Sequence, residues 1–122
     1  MGYCIIKLDG KYMEWTSVSD SPRSPLLPKE QFIRYWEEEY GRYRMWELPR
    51  LLKQADETGT SALGHTVNEI IRGNQAGVGG KRLTKRQIIQ VYTINGYDFE
   101  LWCKRRNARV AKEFREELEK RS

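Results

Sequence analysis

An Asp-Gly pair near the start of the chain constrains the fold more than any other feature of the sequence. Asp9 and Gly10 separate two strand-like segments, YCIIKL at residues 3–8 and KYMEWTSV at residues 11–18. Asp-Gly favours the tight two-residue turn that joins antiparallel strands, because both of its residues tolerate positive φ. The sequence therefore predicts a β-hairpin.

The second strand of this hairpin has two different faces. Alternation places Met13 and Trp15 on one face and Tyr12 and Glu14 on the other. A two-stranded hairpin by itself is only marginally stable in water. We therefore expect it to pack on helices, to gain strands from later in the chain, or to pair with a second copy of the protein.

Helical patterns account for most of the sequence after the hairpin. Residues 19–28 come first and hold three of the four prolines, which predicts an irregular loop because proline lacks a backbone donor. Gly41 is expected to end the first helix, and Thr84 to cap the fourth. The predicted helices span residues 29–40, 42–57, 62–72, 84–92 and 97–122.

These elements predict an α+β fold in which an N-terminal β-hairpin packs on four to five helices and a long amphipathic basic helix closes the chain. The length of 122 residues fits a single domain, residues 1–122.

Residues 97–122 combine an apolar stripe with a basic flank. The stripe consists of Phe99, Cys103, Val110, Phe114 and Leu118. Residues 81–122 carry 12 Lys and Arg against six Asp and Glu, whereas residues 1–80 carry 10 against 11. This asymmetry favours an anionic ligand such as a nucleotide or nucleic acid, the alternative being a solubilising surface.

Motifs typical of enzymes and metal sites are missing from the sequence. It contains no GxSxG, HExxH or EF-hand pattern and a single histidine, His65. Cys4 and Cys103 sit in apolar patterns without CxxC spacing, which favours buried free thiols in a reducing cytoplasm. We expect no catalysis, no cofactor, no metal and no membrane association.

A pocket lined by arginine and aromatic side chains would suit a small nucleotide, since guanidinium groups hold phosphates and rings stack on bases. Such a pocket could lie across the interface of a homo-oligomer. The candidate ligand-binding residues are Trp15, Lys85, Arg86, Tyr97, Trp102, Lys104, Arg105 and Arg109. Asp20 and Arg23 in the proline-rich loop are further candidates, if that loop is more than a connector.

A different function uses many of the same residues. Residues 84–109 have the proportions of a helix-turn-helix, with a short helix, a turn at 93–96 and a second helix that presents Lys104, Arg105 and Arg109. Arginine and lysine in such a helix contact bases and phosphates of DNA. An ordinary helical hairpin is the alternative.

Several short motifs resemble a group of small uncharacterised bacteriophage proteins. Members of that group have a hairpin whose second strand ends in an aromatic-Ser/Thr-x-Val-x-Asp-x-Pro pattern. The matching positions are Tyr12 to Pro22, Tyr40-Gly41, Gly59-Thr60-Ser61 and Asn74-Gln75-Ala76-Gly77. The resemblance covers residues 1–92 and leaves residues 93–122 as a basic extension.

The resemblance implies a phage origin and supplies no catalytic residues. It suggests a counter-defence protein in the host bacterial cytosol that acts by binding, either sequestering a nucleotide-type immune signal or blocking an immune effector protein directly. That expectation is an analogy between small phage proteins and does not follow from the spacing of these residues.

Overall fold

A computed structural model describes residues 3–94, apart from the side chain of Tyr43. It contains a three-stranded antiparallel sheet and four α-helices, which confirms the α+β class. The strands are β1 (Tyr3–Leu8), β2 (Lys11–Thr16) and β3 (Ser21–Pro22). The helices are α1 (Lys29–Tyr40), α2 (Leu48–Thr58), α3 (Val67–Ile71) and α4 (Lys85–Tyr92). The predicted helix at 97–122 lies outside the described residues.

The hairpin forms as the sequence predicts. β1 and β2 pair antiparallel from Tyr3 opposite Thr16 to Leu8 opposite Lys11. Asp9 and Gly10 make the turn with φ angles of 51° and 71°, the positive values that a primed turn requires. The Asp-Gly pair therefore fixes the register of both strands.

The sheet is extended by other segments of the same chain. β3 pairs with the end of β2, and Tyr12 and Leu27 exchange two backbone hydrogen bonds of 2.8 Å. On the opposite edge, the Lys7 N–H donates to the Gly59 carbonyl at 2.8 Å. The prediction of an irregular loop at residues 19–28 was thus wrong for Ser21–Pro22. Proline is tolerated there because the strand lies at the edge of the sheet.

Helices cover both faces of the sheet. Ile5 and Tyr12 belong to a core cluster with residues of α1 and α2, including Phe32 and Leu52. The other face packs against α3 and α4 through a second cluster, which contains Ile6, Leu8, Met13, Trp15, Leu26, Ile71, Ala76 and Ile88. Because both faces are covered, four consecutive residues of β2 are buried, including the charged Glu14.

Two helices are shorter than the sequence predicts. The segment predicted as one helix at 42–57 is a 3₁₀ turn at Arg42–Arg44 followed by α2, with Pro49 in the first turn of α2. Proline fits there because the first N–H groups of a helix have no intrahelical partner. The helix predicted at 62–72 is reduced to α3, which Thr66 caps. Thr84 caps α4 with a complete capping box, as predicted.

Asn74 organises the loop between α3 and α4. Its side chain is buried, its Nδ2 donates to the carbonyls of Ile71 and Leu83 at 2.7 Å each, and its Oδ1 accepts from the N–H groups of Ala76 and Leu83. The loop is therefore tied into the fold, although its glycine content suggests flexibility.

A side chain at Gly77 of this loop would clash with the backbone. A Cβ built on Gly77 would lie 2.8 Å from the Lys81 carbonyl oxygen, whereas one on Gly73 meets nothing within 4 Å. We expect Gly77→Ala to lower the free energy of unfolding by about 1–3 kcal/mol through overpacking. Gly73→Ala is the matched control and should change it by less than about 1 kcal/mol. Urea unfolding of both variants measures the difference, and equal effects would contradict this account of the loop.

Among residues 3–94, no helix has the length and apolar character needed to cross a membrane.

Candidate functional site

A cavity lies at the open end of the hairpin, where β1 begins and β2 ends. This hairpin cleft has a volume of about 660 Å³, within the range of roughly 300–1,000 Å³ typical of small-molecule sites. α2 and the segment leading into α3 form its walls. Its polar and aromatic lining consists of Tyr3, Glu14, Trp15, Ser17, Asp20, Trp36, Arg44, Glu47, Arg50, Ser61, His65 and Glu69.

Glu14 is a buried carboxylate at the base of the cleft. Its two oxygens accept hydrogen bonds from the hydroxyls of Tyr35 (2.6 Å) and Tyr40, and Arg23 Nε lies 3.4 Å from Oε1. Burial raises the pKa of Glu14 above its usual range, although the tyrosine hydroxyls and Arg23 oppose that shift. Both carboxylate oxygens are therefore already engaged by the protein.

Two arginines and three aromatic rings stack beside the cleft, and Tyr3, Trp36 and Arg44 of this group line it. The Arg23 guanidinium lies 4.6 Å from the ring centroid of Tyr3, and that of Arg44 lies 4.6 Å from Tyr40 and 5.5 Å from Trp36. Each distance is within the range of a cation–π contact. This arginine–aromatic stack holds Arg44 in place while the Tyr3 ring stays half exposed at the mouth of the cleft.

The charges that face the cleft differ in how far the protein neutralises them. Arg44 donates to Glu47 with both Nε and Nη2. His65 Nδ1 lies 3.6 Å from Glu69 Oε2, and both side chains are exposed. Arg50 is exposed on α2 and forms no ion pair with any residue of the described chain, so its guanidinium is free to bind an anion.

The lining can bind both ends of a polar ligand. Arg50 and the outer edge of Arg44 can donate to a phosphate or carboxylate, while Asp20 and Glu69 can accept from hydroxyl or amino groups. Cys4 also lines the cleft, but burial raises the pKa of its thiol, which leaves it protonated and weakly nucleophilic at neutral pH. Within residues 3–94, no group of His, Cys, Asp and Glu is arranged to hold a metal ion.

The residues proposed from sequence fall into three groups: some border the cleft, some lie on α4, and the rest are outside the described residues. Trp15 borders the hairpin cleft, but it is 1% exposed and belongs to the core cluster on that face of the sheet. Asp20 lines the hairpin cleft, and Arg23 reaches the base of the cleft, where it pairs with Glu14 and Glu39. Lys85 and Arg86 are exposed on α4 and do not line the cleft.

The remaining proposed residues are Tyr97, Trp102, Lys104, Arg105 and Arg109, and all of them lie outside the described part of the chain. The same is true of the second helix of the predicted helix-turn-helix at 84–109.

Sequence reasoning missed Tyr3, Arg44 and Arg50 as site residues. Arg44 stands in the segment RYRMWE, where alternating arginines and aromatics are a signal for a cation–π stack. This segment also falls within the helix predicted at residues 42–57, and a continuous helix gives no indication of such a cation–π stack. Arg50 has no comparable pattern around it. It reaches the cleft through the tertiary fold, which the local sequence does not indicate.

Comparison with known proteins finds no matching family model, no matching curated protein and no matching solved structure.

Proposed function

We propose that this protein is a non-catalytic binding protein that takes up a small nucleotide-type ligand in the hairpin cleft and thereby sequesters it. The observation that carries the proposal is the pairing of an unneutralised arginine, Arg50, with the exposed ring of Tyr3 in a cleft of about 660 Å³. Phosphate binding by a guanidinium and stacking of a base on an aromatic ring are the two contacts that nucleotides require.

The carboxylates of the cleft are compatible with the phosphate, sugar and base of a nucleotide. Glu14 and Glu47 are engaged by tyrosine hydroxyls and by Arg44, so their charges do not oppose a phosphate at Arg50 directly. Asp20 can accept from ribose hydroxyls or from amino groups of the base, and the exposed Glu69 can accept a further hydrogen bond beside its contacts with Thr66 and His65. A ligand with a phosphate at one end and hydrogen-bond donors at the other matches this mixed lining.

The state of Glu14, the acid of the cleft whose pKa is raised, supports binding without catalysis. Glu14 has the raised pKa that a general acid or base often has. Its oxygens, however, already accept from Tyr35 and Tyr40. A carboxylate held in this way stabilises the fold and has no free oxygen to exchange a proton with a ligand.

The biological role that we propose is counter-defence by a phage-encoded protein, with a nucleotide immune signal as the ligand. Its support is the resemblance of residues 1–92 to small bacteriophage proteins. Sequestration suits a small protein, because stoichiometric binding needs affinity for the signal but no catalytic machinery.

Titration with a panel of linear and cyclic nucleotides tests the binding site. Charge reversal in Arg50→Glu removes a charge-assisted contact and should weaken binding of the best ligand by about 10- to 100-fold. Arg42→Glu is the matched control, since it makes the same charge change on an exposed residue that does not line the cleft. We expect it to change the affinity by less than about threefold, because salt screens distant surface charges. Equal losses in the two variants, or no binding by the unaltered protein, would contradict the proposal.

A further inference from the structure

A second surface, formed by α3, α4 and the loop between them, concentrates positive charge. Five exposed cations, which we call the basic surface, belong to it: Arg72, Lys81, Arg82, Lys85 and Arg86. Residues 66–94 contain a single acidic residue, Glu69, and its carboxylate faces His65 and the hairpin cleft. The basic surface therefore carries an excess of four positive charges within 29 residues.

These charges are not neutralised within the described chain. None of the five cations lies within ion-pair distance of a carboxylate of residues 3–94. On the rest of the molecule such pairs are common, as between Lys7 and Asp56 at 2.8 Å. Unpaired like charges that lie close together, as Arg72, Arg82 and Lys85 do around one depression, repel each other, and an anionic partner relieves that repulsion.

The fold holds the basic surface in a defined shape. Arg82 Nε donates to the Arg72 carbonyl at 2.7 Å, which keeps the two residues side by side. Both line a depression of about 300 Å³ together with Lys85, Asn68 and Thr84. The buried Asn74 fixes both ends of the intervening loop, so little ordering is needed when a partner binds.

We propose that the basic surface binds the phosphodiester backbone of duplex DNA without reading its sequence. The contacts available there are exposed Lys and Arg side chains with polar Asn68 and Thr84 beside them, which is the composition of a backbone-contacting surface. Among residues 3–94, no aromatic side chain lines the depression, so these residues offer no platform on which unpaired bases could stack. This site is independent of the nucleotide-binding function proposed for the hairpin cleft and shares no residue with it.

Fluorescence anisotropy with a labelled 20-base-pair duplex across a salt series tests this inference. Three to five phosphate contacts predict that the logarithm of the binding constant falls with the logarithm of salt concentration with a slope of roughly −3 to −4.5. In Arg82→Glu/Lys85→Glu, at least two contacts are lost, and the affinity should fall more than tenfold with a slope shallower by about two. Both side chains are exposed, so a circular dichroism melt should find the fold intact.

The control variant for the DNA titration has the same net charge as Arg82→Glu/Lys85→Glu. Arg42→Glu/Lys53→Glu reverses two exposed cations that lie outside the basic surface and should keep the slope and lose less than about threefold in affinity. The inference is overturned if the duplex does not bind at 50 mM salt, or if the two double variants lose affinity equally. It is also overturned if ATP at equal phosphate concentration competes as well as the duplex, which would indicate a site for free phosphates. Arg50→Glu should leave the DNA slope unchanged, which separates this outcome from a failure of the cleft proposal.

Discussion

Glu14→Ala is expected to lower the free energy of unfolding by about 3–5 kcal/mol, the cost of removing one partner from a buried ionic network. The substitution leaves the hydroxyls of Tyr35 and Tyr40 without their acceptor and leaves the Arg23 guanidinium beside a cavity. Chemical denaturation with tryptophan fluorescence measures the change. The exposed Glu38, which pairs with Arg34 on the surface of α1, provides the control, and Glu38→Ala should cost less than about 1 kcal/mol.

The pH dependence of Glu14→Gln tests the electrostatic part of this account. The raised pKa means that the folded protein holds the Glu14 proton to higher pH than the unfolded chain does. The stability that this proton confers is complete below the ordinary pKa of 4.5 and is lost as the pH rises through the folded-state pKa. Glutamine cannot titrate, so the stability deficit of Glu14→Gln should shrink as the pH rises above 4.5. A deficit that grows with pH would show that the pKa of Glu14 is lowered by Arg23.

Asn74→Ala is expected to destabilise the protein by about 2–4 kcal/mol, because one buried side chain satisfies four backbone groups of the loop. The Leu83 carbonyl would lose the Asn74 side-chain donor, and the Ile71 carbonyl would keep only the hydrogen bond from the Asn74 N–H. Thermal and urea unfolding measure the loss. Gln75→Ala, at the exposed neighbouring position, should stay within about 0.5 kcal/mol of the unaltered protein.

Asn74→Asp separates the stability contributed by the hydrogen bonds that Asn74 Nδ2 donates from the stability contributed by side-chain packing. Aspartate keeps the shape and the acceptor but directs a second oxygen at the two carbonyls, which adds repulsion to the lost donor. We expect this variant to be at least as unstable as Asn74→Ala at pH 7 and to recover as the pH falls and the carboxyl is protonated. Equal stability of Asn74→Asp and the unaltered protein would show that Nδ2 contributes nothing.

Local chemistry explains which parts of the fold could be predicted from the sequence. The Asp9-Gly10 turn and the Thr84 cap depend on residues next to each other in the chain, and both have the predicted form. β3 could not be predicted, because a two-residue strand that contains proline exists only through its pairing with β2. The burial of Glu14 likewise depends on α1, which covers what would otherwise be the polar face of a hairpin.

The sequence indicates the composition of the cleft better than its position. The sequence predicts arginine and aromatic side chains around a ligand, and the hairpin cleft has that composition with Arg44, Arg50 and Tyr3. Alternation along β2 predicts the face on which Trp15 lies but not its burial, and the ring is only 1% exposed although it borders the cleft. Arg23 was proposed from its place in a loop, but tertiary contacts draw it into the Glu14 network.

Recovery of intact ligand is the measurement that tests sequestration by the hairpin cleft most directly. The unaltered protein and Arg50→Glu would each be incubated with the tightest-binding nucleotide of the panel, freed of unbound ligand and then denatured by heat. Chromatography and mass spectrometry would identify what is released. The account predicts about one unmodified nucleotide per binding site from the unaltered protein and little from Arg50→Glu. Release of a chemically altered nucleotide, or equal retention by both proteins, would contradict it.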